Sequence, residues 1–128
     1  MEEKLLYGDL TYKLRGLCIK AYNELGYGLR EKEYRIALRH VFLEERLLFN
    51  EELYAPFLFQ GRKITSQFLD FLVEDKVVLE LKVGRYPRKA DFIQIKSYLA
   101  KNNIKLGLLV LFAPKGVEFY RSIISNPR

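Results

Sequence analysis

The sequence predicts a mixed α/β (α+β) domain in which helices flank a central sheet. Apolar residues recur at helical spacing in three stretches, alternate with polar ones in two others, and run unbroken for a strand's length near the C-terminal end. With 128 residues, 49% hydrophobic and 14% aromatic, the chain has material for one core, so a single domain over 1–128 is expected and disorder is excluded. The expected element order is α-α-β-β-β-α-β-β.

Each element has its own signals. Asp9 is placed to cap a first helix with the stripe Leu10, Leu14, Leu17, Cys18, Ala21, Tyr22 and Leu25, which Gly26 ends. After Gly26-Tyr27-Gly28 a second helix begins near Leu29 or Arg30, carries Tyr34, Ala37, Leu38, Val41 and Phe42 on one face, and ends near Arg46. Residues 47–59 contain strand material, broken by Asn50, Glu51 and Glu52, with Pro56 marking an edge or a bulge. Gln60-Gly61-Arg62-Lys63 turns the chain into a second strand that contains Asp70. A third strand carries Glu80 and Lys82 and stops at Pro87. The third helix, about residues 89–102, turns Phe92, Ile95, Tyr98 and Leu99 inward and is closed by Asn102-Asn103. Residues 106–112 read as a strand covered on both faces, and a short last strand, 117–120, follows the Ala113-Pro114-Lys115-Gly116 turn.

Composition excludes several function classes. No apolar run approaches the roughly 18 to 20 residues that span a bilayer, and Met1-Glu2-Glu3-Lys4 lacks the pattern of a signal peptide, so a cytoplasmic protein without membrane contact is expected. Cys18 has no disulfide partner and lies on a helical apolar stripe, while His40 is the single histidine. A histidine-rich metal site and a Ser/His or Cys/His triad are therefore hard to build, and any catalysis must run on carboxylates and lysines. The net charge of +6 and the pI near 9.4 favour a polyanionic partner.

The candidate site lies in the second and third strands. Asp70 and the run Glu80-Leu81-Lys82 sit in apolar surroundings, where two acids and a lysine are costly to bury unless something holds them. Asp70, Glu80 and Lys82 are all even-numbered while the odd positions of both strands are apolar, so alternation sends the polar groups of each strand to one face. A hairpin loop at Glu74-Asp75-Lys76 sets Val73 against Val77 and hence Asp70 opposite Glu80. A divalent cation facing a phosphate would explain the cluster; a buried ion-pair network without catalysis is the alternative. Lys82, Arg85, Arg88 and Lys89 gather positive charge beside it.

These residues resemble a known family. Gly28-Leu29-Arg30-Glu31-Lys32-Glu33-Tyr34 fits the G-x-x-E-x-x-Y pattern that names a group of small proteins within the PD-(D/E)XK nuclease superfamily. Phe68-x-Asp70, Glu80-x-Lys82 and Gln94-x-x-x-Tyr98 look like its next motifs, in the family's order. The resemblance implies a restriction-endonuclease-like core and a metal-dependent nuclease that hydrolyses phosphodiester bonds, in DNA ahead of RNA, by in-line attack of a metal-activated water.

Residue by residue, it implies that Asp70, Glu80 and the backbone carbonyl of Leu81 bind Mg²⁺ or Mn²⁺, with Glu31 assisting the metal or its water. Lys82 would orient the attacking water or stabilise transition-state charge. Gln94 would orient a ligand or contact the nucleic-acid backbone, with Tyr98 one turn further on. Arg85, Arg88 and Lys89 join these as nucleic-acid-binding candidates. Tyr34 is expected in the core. Where the family commonly has a basic residue just before the strand aspartate, this chain has Phe68 and Leu69. The competing functions are a catalytically inactive nucleic-acid-binding or protein-interaction module and a phosphoesterase acting on small nucleotides. Residues 47–59 are the candidate pairing edge of a homodimer.

Overall fold

The computed structural model describes residues 5–124, so the reading of Met1-Glu2-Glu3-Lys4 lies outside the described residues. Ten elements follow one another: α1 (Gly8–Leu25), α2 (Glu31–Glu44), β1 (Phe49–Tyr54), β2 (Phe57–Phe59), β3 (Arg62–Thr65), β4 (Phe68–Val73), β5 (Val77–Val83), α3 (Lys89–Asn102), β6 (Leu106–Ala113) and β7 (Gly116–Ile123). Five strands form a mixed sheet in the order β1-β4-β5-β6-β7, in which β5 and β6 run parallel and every other pair is antiparallel. The parallel pair requires a crossover, and α3 supplies it.

The sheet is covered on both faces because β6 is apolar at every position. Leu106, Leu108, Val110 and Phe112 pack with Leu14, Cys18, Tyr34, Leu38 and Phe42 of α1 and α2. The alternate residues Leu109, Leu111 and Ala113 pack with Ile95 and Leu99 of α3. Gly107 lies directly under α3, where a β-carbon would collide with the Ile95 side chain. Tyr34 is fully buried, stacks on Phe112 with ring centroids 4.1 Å apart, and donates its hydroxyl to the Gly26 carbonyl. Cys18 is fully buried, and burial pushes its thiol up to about 12, out of reach of ordinary thiol chemistry.

Several boundaries differ from the sequence expectation. The cap position of α1 is Tyr7, in the left-handed region at φ 52°, and Asp9 lies within the first turn instead of capping it. Residues 47–59 hold two strands, and Asn50, Glu51 and Glu52 belong to β1. Only Gln60 and Gly61 form the turn, at φ 50° and 76°, while Arg62 and Lys63 are strand residues. The order is thus the expected one with a separate two-stranded hairpin, β2-β3, inserted between β1 and the Asp70 strand. Side-chain hydrophobicity could not separate these strands, because the hairpin's apolar residues are solvent-facing.

Candidate active site

The β4-β5 hairpin is paired at Val73 and Val77, Leu72 and Val78, and Phe71 and Leu79, after which the ladder ends. β5 continues along β6 as far as Val83. Between the diverging strands, two carboxylates take over the unpaired amides: Leu81 N donates to Asp70 Oδ2 at 2.8 Å and Asp70 N donates to Glu80 Oε1 at 3.2 Å. A buried amide left without a partner costs about 1 to 3 kcal/mol, so these bonds both hold the fork open and aim the acids into it.

Strict alternation does not hold on β4. Phe71 and Val73 pack under α1 and α2, but Leu69, two residues before Phe71, packs on the α3 side. Opposite this switch on β1, Glu52 has φ 55°, a left-handed conformation that costs a non-glycine residue roughly 1 kcal/mol. The odd/even rule therefore breaks at Asp70. The expected convergence is nonetheless present: Asp70 accepts from the Leu81 amide and Glu80 accepts from the Asp70 amide across the fork.

Each acid keeps one oxygen on the backbone and offers the other to a cation. Asp70 Oδ1 lies 4.0 Å from Arg35 of α2, and Glu80 Oε2 lies 3.7 Å from Lys82 Nζ. The Lys82 ammonium is also 3.5 Å from Asp91 of α3 and 3.9 Å from Glu31 of α2, so three elements converge on it. Glu80 is 4% exposed, and burial followed by the Asp70 charge raises its carboxyl to about 10. Burial likewise raises Asp70, against the bonds it accepts and the nearby cations. Glu31 is raised too, chiefly by burial. Burial pulls the Lys82 ammonium down, but Glu80, Glu31 and Asp91 together outweigh it and hold it above its ordinary value.

Next to this cluster is a cavity of about 310 Å³ lined by Glu31, Lys82, Val83, Tyr86, Arg88 and Asp91. Among the described residues no group of three or more acidic, histidine or cysteine side chains is arranged to hold an ion. The acids that the fork brings together are Asp70 and Glu80. Their outward oxygens, facing Arg35 and Lys82, are hard donors of the kind that suit a divalent cation keeping several of its waters.

The other expected residues are distributed as follows. Glu31 pairs with Lys82 and lines the cavity, and burial, with the nearby Asp70 charge adding to it, raises its carboxyl. Arg88 lines the cavity, Lys89 is exposed at the start of α3, and Arg85 lines a neighbouring cleft with Pro114 and Lys115. Gln94 is buried, where a ligand-facing side chain had been expected. Its Nε2 donates to the Ala55 carbonyl at 3.2 Å and its Oε1 has no partner. Half-buried Tyr98 lies beside it, away from the cavity that Lys82 lines.

Two residues escaped the sequence reading. Asp91 is 4% exposed, accepts from Arg88 N at 3.3 Å to cap α3, and turns its second oxygen to Lys82. Its signal was an acid at the third position of a helix that begins after Arg88. Arg35 stands one turn beyond Glu31, a spacing that shares a helix face.

A three-layer core around a mixed sheet, with a hairpin fork presenting an acid pair and a lysine, defines a restriction-endonuclease-like domain. The chain belongs to the PD-(D/E)XK nuclease superfamily, whose family model matches residues 8–122. No curated protein matches the chain. Among solved structures, SSO0001 superposes with a TM-score of 0.55 at 19% identity, covering 72% of this chain and 48% of that one, so the chain spans about half of its length. An alkaline exonuclease from Laribacter hongkongensis (LHK-Exo) matches with a TM-score of 0.39 at 13% identity, over 94% of this chain and 72% of that one.

Proposed function

We propose that this domain hydrolyses phosphodiester bonds in nucleic acid, DNA ahead of RNA, with Mg²⁺ or Mn²⁺, as a member of the G-x-x-E-x-x-Y group. The observation that carries this reading is the fork: the buried Glu80 and half-buried Asp70 carboxylates, whose mutual repulsion a cation would relieve, beside a lysine that lines an open cavity. The net charge of +6 favours a polyanion over a small acidic substrate.

Asp70 and Glu80 would hold the metal, with the Leu81 carbonyl as a further donor. Bound there, it would lower the pKa of water and neutralise phosphate charge. Glu31 and Asp91 hold the Lys82 ammonium at the cavity wall, from which it donates to the attacking water or to a phosphoryl oxygen as negative charge builds up. Glu31, in the same wall with its carboxyl raised, is the group that takes the water's proton. Arg88, at the rim, balances a neighbouring phosphate.

The test is cleavage of mixed DNA and RNA with Mg²⁺ or Mn²⁺, with EDTA, and with Asp70→Ala and Lys82→Ala. Metal-dependent cutting that falls about a hundredfold or more in both variants is expected. Binding without cutting, unchanged by EDTA and by both substitutions, would show an inactive module on the same fold.

A further inference from the structure

The β2-β3 hairpin has no counterpart in the chemistry of the fork. Its register sets Phe59 opposite Arg62 and Leu58 opposite Lys63, so Phe59 and Arg62 share a face; the pairing then shifts to Phe57 opposite Thr65, which leaves Ile64 unpaired at a bulge. Phe59 is 62% exposed and Ile64 67% exposed. An isolated two-stranded hairpin is marginally stable alone, and large apolar side chains left in water on it call for a partner.

The partner's charge can be read from the segment. From residue 53 to 69 there is no aspartate or glutamate, and the only charges are Arg62 and Lys63. The root of the hairpin is fixed to the domain: Ala55 N donates to the Gln67 carbonyl at 2.8 Å, and buried Gln94 of α3 holds the Ala55 carbonyl. At that root Tyr54 pairs with Phe68, two residues before Asp70. The arm therefore projects from the same end of β4 that carries the acid pair. A second copy of the chain fits less well, since two like-charged hairpins, each with strands of three and four residues, fall short of the roughly 20 to 30 residues a side of a stable interface.

We propose that the β2-β3 hairpin is a substrate-engaging arm that lays Phe59 and Ile64 against unpaired bases while Arg62 and Lys63 hold the flanking phosphates. This rests on the nuclease reading and narrows it to nucleic acid with frayed, branched or single-stranded character, because base faces are closed to side chains within an intact duplex. Stacking on aromatic side chains tolerates any sequence, so the arm reads structure and not sequence.

The test is fluorescence anisotropy of the full chain in EDTA, with a labelled DNA duplex ending in unpaired tails and a fully paired duplex of the same length. The wild type should bind the tailed DNA about tenfold more tightly. Phe59→Ser with Ile64→Ser should abolish that preference and leave affinity for the paired duplex within about twofold, since both side chains are already in water. Arg62→Ser should weaken both complexes and reduce the salt dependence by about one phosphate contact. Equal affinity of the wild type for both DNAs, or a preference that survives the double substitution, would overturn the assignment. So would a wild-type dimer in sedimentation that the double substitution renders monomeric. Preference in EDTA with no cutting of either DNA once Mg²⁺ or Mn²⁺ is supplied would sink the nuclease reading and leave the arm standing; cutting with metal and no preference in EDTA would do the reverse.

Discussion

Replacing Glu80 with glutamine should stabilise the metal-free protein, increasingly so as pH rises. Its carboxyl ordinarily titrates at 4.5 and is raised to about 10 in the fold, chiefly by burial and then by Asp70. Between those values the folded state holds a proton that the unfolded chain has released. Stability then falls as pH rises, with a limiting slope of about 1.4 kcal/mol per pH unit. From pH 5 to pH 8 the limit is about 4 kcal/mol; backbone relaxation and water entering from the open cavity reduce this to about 2 kcal/mol, or roughly 6 to 10 °C in Tm. Asp70 and Glu31 are raised as well and act in the same sense. The assay is urea unfolding in EDTA across that pH range for wild type and Glu80→Gln, repeated with Mn²⁺. The wild type should lose stability with pH in EDTA and regain it with Mn²⁺, whereas the variant should show a flatter profile and little response to metal. A level wild-type profile in EDTA, or the same slope in both proteins, would refute the reasoning.

Other outcomes follow from packing and from the positioning of Lys82. Gly107→Ala should cost about 1 to 3 kcal/mol in urea unfolding, because the new methyl meets the stiff β-branched Ile95 beneath α3. Tyr34→Phe should cost about 1 kcal/mol, the worth of its bond to the Gly26 carbonyl, with the Phe112 stack retained. Cys18 should stay unreactive towards a colorimetric thiol reagent in the native protein and react at once in denaturant. Asp91→Asn should lower kcat about tenfold with little change in KM, since it loosens Lys82 without touching the acid pair.

Much of the fold was legible because the determining residues act locally. α3 was read at its observed bounds, since Pro87 and the left-handed Asn103 punctuate it, and β6 was recognisable from an apolar run that only a doubly covered strand would need. The hairpin register followed from loop length alone, which set Val73 against Val77. The β2-β3 hairpin was not legible, since its apolar residues face water and mimic core strand. The switch of side between Phe71 and Leu69 was hidden as well, and so was the left-handed backbone of Glu52 opposite it, a residue type that carries no such signal. Gln94 matched a motif yet lies buried against Ala55, because a helix position gives spacing and not depth. The role of Asp91 was not legible because its approach to Lys82 depends on how the loop after β5 returns the start of α3 to the strand.

The central claim is that Asp70 and Glu80 share a divalent cation at the mouth of the fork. Anomalous diffraction from crystals soaked in Mn²⁺ tests it most directly. A peak within ligating distance of both carboxylates, lost in Asp70→Asn, is the predicted result. A soaked crystal with no peak there, its two acids still bonded only to the amides of Leu81 and Asp70, would contradict it.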